Sequence, residues 1–187
     1  MFFDPTYIIV VLLPTLILSG LAQAWVRGAY QKWSNVPNSR RVTGQQTAQI
    51  LIRDGGLQGV GLEMGQGELT DHYDPRAGVV RLSPTVATQP SVASMAIAAH
   101  EFGHVQQDQQ KSPLMALRAM LIPSATLGPR FGIGLIFAGL ILNITGLAAA
   151  GLILFAGATV FTVVTLPVEL DASRRAMKLL RDTGLIA

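Results

Sequence analysis

The chain has 187 residues, half of them hydrophobic and only 13% charged, with a net charge of +3 and no cysteine. Soluble domains carry about a quarter charged residues, so this balance belongs to a membrane protein with room for one modest polar lobe. It excludes a disulfide framework and a thiol nucleophile. Its basic residues form no stripe interleaved with aromatics, which argues against nucleic acid as a partner and suits a surface facing the anionic lipid of a bilayer.

Tyr7 to Trp25 is an uncharged run, YIIVVLLPTLILSGLAQAW, about the length of a bilayer span. Tyr7 and Trp25 stand at its ends as interfacial anchors. Ala22-Gln23-Ala24 has the form of a leader cleavage site, but only Asp4 and no Lys or Arg precedes the run, whereas a signal peptide begins basic. Residues 1–25 are therefore predicted to be an uncleaved transmembrane anchor.

Residues 26–112 are polar enough for a lobe outside the bilayer. Asn35 to Thr43 is a linker. Gly44 to Asp54 has a helical period with Ala48, Leu51 and Ile52 on one side, and Gly55-Gly56 stops it. "GVVRLS", Gly78 to Ser83, follows the turn "DPRAG" and reads as a strand. Ser91 to Gln110 reads as a helix that Ser91 caps, packed through Ala96, Ile97 and Phe102. Trp33 and Met64 are expected to pack.

Beyond Lys111 the chain turns apolar. Pro113 to Gly128 is amphipathic at best and is predicted to be a surface or re-entrant helix. Phe131 to Val168 carries no charge over 38 residues, about 57 Å as one helix. That is nearly twice the hydrocarbon thickness of about 30 Å, so a two-helix hairpin is expected, turning near Asn143 to Gly146. Gly146, Gly151 and Gly157, with Ala148 to Ala150, would let its arms approach. Pro167 sits where helices often begin and is expected to open a last helix, so the hairpin is assigned to residues 113–168 and the final helix to 169–187. Lys and Arg are absent before the first run and at the hairpin tip, and they collect after each apolar segment. The positive-inside rule then places the lobe and the C-terminus in the cytoplasm of a multi-pass protein of the cell inner (plasma) membrane.

The stretch that carries chemistry is "SMAIAAHEFGHVQQD", Ser94 to Asp108. His100 and His104, four apart on a helix, project from one face and can direct two imidazoles at one zinc ion. A catalytic zinc needs a third protein ligand and an open position. Glu101, between them, is placed to take a proton from the attacking water and deliver it to the leaving amine. Gly103 inside this helix costs about 1 kcal/mol against alanine, which makes sense if something must lie close to the backbone there. For the third ligand the sequence offers His72, Asp74, Glu169 and Asp171. Glu169 returns to the membrane surface just past the hairpin, and an acid beside a span marks a function; its alternative role is an ion pair with Arg174 or Arg175. His72 is expected to donate to the oxyanion of the tetrahedral intermediate, with zinc ligation or a purely structural place in the turn as alternatives.

"LTDHYDPRAGVVRLS", "AAHEFGHVQQD" and "TLPVELDASRRA", together with the opening "MFFDPTY", resemble the YugP-type family of membrane-bound neutral zinc metallopeptidases over almost the whole chain. That family looks like a relative of the membrane gluzincins, such as the HtpX-type and prenyl-protein endopeptidases. The resemblance implies an α+β membrane protein: a mainly helical, zincin-like catalytic lobe with a short β-element, and about three transmembrane helices. It implies Zn2+ held by His100, His104 and Glu169, with Glu101 as base. Gluzincins often place an aspartate four residues after the ligand glutamate, where this chain has Ser173, with Asp171 the nearest acid. The family pattern also leads one to expect another apolar segment beyond Ala187. The expected function is a zinc-dependent membrane endopeptidase acting on peptide or membrane-protein substrates at the cytoplasmic face. The alternative is a zincin-like structural or assembly subunit with a membrane-complex partner and no proteolytic turnover.

Overall fold

The computed structural model describes residues 5–187, with the side chain of Tyr7 left out; the "MFFD" start and the anchoring role of Tyr7 lie outside the described residues. The elements in chain order are α1 (Ile8–Ser34), α2 (Gly44–Asp54), β1 (Gly61–Met64), β2 (His72–Asp74), β3 (Val79–Leu82), α3 (Pro84–Thr88), α4 (Val92–Gln109), α5 (Pro113–Ile141) and α6 (Thr145–Asp182). The protein is an α+β membrane protein, mostly helical with one small sheet. Three helices, α1, α5 and α6, are long and apolar enough to cross a bilayer.

The lobe is built on α4. Ser91 caps it, its Oγ accepting from the Ser94 N–H at 3.1 Å. Across α4 lies a three-stranded sheet in the order β1-β3-β2, with β1 parallel and β2 antiparallel to β3. The β2–β3 turn follows from its sequence: Asp74 Oδ1 accepts from the backbone of Arg76 and Ala77, and Gly78 takes a φ of +65°. The last turns of α6 close the layer from the other side. Leu51, Val80, Leu82, Phe102, Leu179 and Leu180 meet in the shared core. Helix α2 carries a capping box between Thr43 and Gln46, and it buries Ala48 and Leu51 and part of Ile52, as its period predicts.

Several expectations are corrected. Ala96 is exposed, and Met95, Ala98, Ala99 and Phe102 pack α4 in its place. Trp33 and Met64 are 43% and 59% exposed; Trp33 holds the Lys32 ammonium 4.9 Å from its ring centroid. Pro113 to Gly128 is no separate surface helix. It runs through a π-turn at Gly128–Gly132 into the first arm of the hairpin. The hairpin turns at residues 142–144, where Asn143 has a φ of +54°. Gly151 does lie where a Cβ would touch the opposite arm, 2.8 Å from the Ile136 nitrogen, but the space at Gly146 is open. Pro167 does not open a helix. It lies inside α6, which continues unbroken from the hairpin tip to Asp182.

Candidate metal centre

Helix α4 presents His100 and His104 from one face, as their spacing requires, with ring centroids 4.9 Å apart and planes at 85°. Helix α6 crosses against that face. Its approach is set by Gly103: a Cβ built there would lie 2.9 Å from the Ala172 carbonyl carbon. No larger residue permits this contact without moving a backbone. The close crossing brings Glu169, one turn before Ala172, over both imidazoles. Glu169 Oε2 lies 3.0 Å from His100 Nε2 and 3.3 Å from His104 Nε2. Among the described residues, these three form the one group of His and acidic ligand atoms close enough to share an ion, all within 4.8 Å of one another. Of the other acids and histidines the sequence offers as a third ligand, His72, Asp74 and Asp171 stand outside this group.

Each imidazole is held from behind. His104 Nδ1 is 2.9 Å from Gln107 Oε1. The Gln107 amide nitrogen donates to the Val168 carbonyl at 2.9 Å and to Asp171 Oδ2 at 2.8 Å, which fixes the oxygen toward His104. An amide oxygen only accepts, so His104 carries its proton on Nδ1 and turns the Nε2 lone pair to the site. Arg175 secures Asp171 through a 2.6 Å ion pair. On the other histidine, Ser173 Oγ lies 3.2 Å from His100 Nδ1. The choice between Asp171 and Ser173 thus resolves into both: Ser173 orients His100, while Asp171 reaches His104 through Gln107. Supports of this kind set the ring orientation of metal-binding histidines. Neither Arg174 nor Arg175 pairs with Glu169; Arg118, from α5, does so at 3.3 Å.

Glu101 is buried, and the Tyr73 backbone on strand β2 favours its charged form. Burial pushes its pKa above the usual carboxylate range, against the opposing pull of His104 and His100. His104 is buried too. Burial alone would lower its pKa, but hydrogen bonds to Glu169 and Gln107 outweigh this and raise it. The cluster therefore stabilises positive charge beside Glu169. Two imidazole nitrogens and one carboxylate oxygen, convergent and asking for a cation, fit a zinc ion with one coordination position left open.

A cleft of about 410 Å³ opens over these groups. One wall is β2 with Asp71, His72 and Tyr73; another is the hairpin, through Met115, Ala119, Ile122 and Phe161. Asp71 is tied to the lobe by accepting from the Ser83 N–H and hydroxyl at 2.7 and 3.1 Å. Tyr73 donates its hydroxyl to Asp108 at 2.8 Å. His72 lines the cleft but is exposed. Its Nδ1 is 2.7 Å from the Thr70 carbonyl, so Nδ1 donates there, and Nε2 is 3.4 Å from an Arg81 nitrogen. Gln107 and Arg118 are the site residues that sequence reasoning missed. The one signal for Arg118 was a cation in a largely apolar stretch, a signal it shares with Arg130.

A family model described as "Putative neutral zinc metallopeptidase" matches residues 7–187. The chain is 37% identical over 169 residues to a curated protein of Bacillus subtilis (strain 168) described as "Putative membrane protease YugP", covering 90% of this chain and 75% of that protein. No solved structure matches.

Proposed function

We propose, from a chain that belongs to the neutral zinc metallopeptidase family, that the protein is a membrane endopeptidase whose cleft cuts extended peptides at the cytoplasmic face of the bilayer. One observation carries this: His100 Nε2, His104 Nε2 and Glu169 Oε2 converge in a cleft that Glu101 also lines. His100, His104 and Glu169 would hold the zinc. Zinc, when bound, supplies a Lewis acid that polarises the scissile carbonyl and lowers the pKa of water.

The chain's own residues do the rest. Glu101 takes a proton as water adds to the carbonyl carbon and returns it to the leaving nitrogen. Burial raises the proton affinity of this carboxylate, which suits it to accept that proton near neutral pH. Strand β2 is the edge strand of the sheet that lines the cleft, so an extended peptide can lie along it by strand addition. The apolar hairpin wall favours apolar side chains and admits segments of membrane proteins. His72 is proposed to border the bound peptide from this strand. Its Nδ1–H is spent on Thr70, so His72→Ala is the variant that reads whether it also serves the oxyanion. The charge asymmetry of the apolar segments supports a cytoplasmic lobe in the plasma membrane.

The test is purified protein in detergent with casein as substrate. The expectation is about one zinc per chain and cleavage that chelation abolishes and zinc restores. Glu101→Gln should keep the zinc while turnover falls by roughly 10² to 10⁴. Zinc bound by a wild type that cleaves nothing would instead favour a structural or assembly subunit.

A further inference from the structure

Peptide hydrolysis places negative charge on the former carbonyl oxygen, and a water-excluded site needs a donor there. The cleft has three side-chain candidates. Tyr73 has given its hydroxyl to Asp108, and His72 has given its Nδ1–H to Thr70. Arg118 remains. It is the one Lys or Arg lining the cleft, and it stands on the face of α5 that meets α6, with Met115 and Ile122 one turn to either side. One guanidinium nitrogen makes an ion pair with Glu169 Oε1 at 3.3 Å. Its other N–H donors have no hydrogen-bond partner among the described residues. Pairing with the far oxygen of a candidate metal ligand holds the guanidinium beside the metal centre. That is too close for it to be reading a distant substrate carboxylate.

Building on the peptidase reading above, we infer that Arg118 is a catalytic residue of this site, donating from the membrane hairpin to the oxygen on which charge develops. As water adds to the carbonyl carbon, the carbonyl π pair moves onto that oxygen and Glu101 takes the water's proton. Arg118 holds the charged oxygen. The pair then returns to re-form the carbonyl, the C–N bond breaks, and the nitrogen leaves as an amine with the proton from Glu101. Arg118 gains and loses no proton.

The experiment uses the full-length zinc-loaded protein and two inhibitors. One is a phosphinic peptide, whose tetrahedral anionic centre mimics the charged oxygen; the other is a peptide hydroxamate, which grips the metal without that centre. Arg118→Ala should lower kcat by about 10² to 10³ and weaken the phosphinic peptide by a similar factor. KM, zinc content and hydroxamate affinity should be unchanged. Arg118→Lys should recover part of both losses, and methylguanidine added to Arg118→Ala should recover part of kcat. Unchanged phosphinic-peptide affinity overturns the inference. So does loss of zinc in step with activity, because Arg118 would then only steady Glu169. A wild type that binds no zinc overturns the peptidase reading itself and this inference with it.

Discussion

Gln107 shows how one side chain can determine the state of another. It is fully buried, both hydrogens of its amide are given to fixed acceptors, and its oxygen is left with His104 alone. The histidine is thereby held in the tautomer whose Nε2 can take a metal. Gln107→Leu fills similar space but frees His104 to protonate on either nitrogen, and it leaves the Val168 carbonyl and Asp171 short of a donor. Zinc affinity should fall 10- to 100-fold, the usual cost of removing such a support, as read by competition with a metal indicator. Ser173→Ala, acting on His100, which is less buried than His104, should cost less in the same titration. Nothing in the sequence marks Gln107, because glutamine is an ordinary helix residue. Its role exists only once α6 supplies Val168 and Asp171. His100, Glu101 and His104 were legible because their geometry is local: a four-residue spacing on a helix fixes it without tertiary contacts.

Among the elements, the contact between α4 and α6 decides the site. Gly103→Ala adds one methyl against the Ala172 backbone, and neither helix can yield without moving Glu169 from the histidines. Overpacking of this kind costs about 1–3 kcal/mol, partly offset by the helix preference of alanine, about 1 kcal/mol. The expected outcome is a modest loss of thermal stability and a larger loss of zinc affinity. Gly134→Ala, where a Cβ meets open space, should change neither. The sequence disclosed the anomaly of a glycine in that helix and the existence of α2, α4 and β3, since each carries its own period and stop signals. It misplaced the start of the last helix at Pro167. Proline lacks an N–H and often begins helices, yet apolar helices packed on neighbours tolerate it, and here α5 packs along α6. The same apolar packing absorbs Pro123 inside α5; residues 113–128 read as a separate piece because they are only weakly amphipathic and the charge-free run begins at Phe131.

At the scale of the whole molecule, the three apolar helices and the charge pattern make a prediction about sidedness. The chain has no cysteine, so single substitutions label cleanly. Ile144→Cys at the hairpin tip, half exposed, should react with an impermeant thiol reagent added outside intact cells. Gln109→Cys, at the end of α4, should react only after the cells are opened. The reverse pattern would turn the cleft outward. Helix α6 also imposes a condition on the whole assembly. It is one 38-residue rod, about 57 Å long, whose first part is a hairpin arm and whose last part holds Glu169, Asp171 and Ser173. Azimuth and depth are therefore shared between bilayer and metal: each residue added along the rod turns everything beyond it by about 100° and lifts it about 1.5 Å. A single alanine inserted after Phe161 would swing the carboxylate out of line with the histidines while leaving every side chain of the centre intact. The same insertion in the 142–144 turn, before the rod begins, would be absorbed by the loop. The hairpin arm is thus a phase reference for the chemistry, and a change of length is tolerated only at its tip.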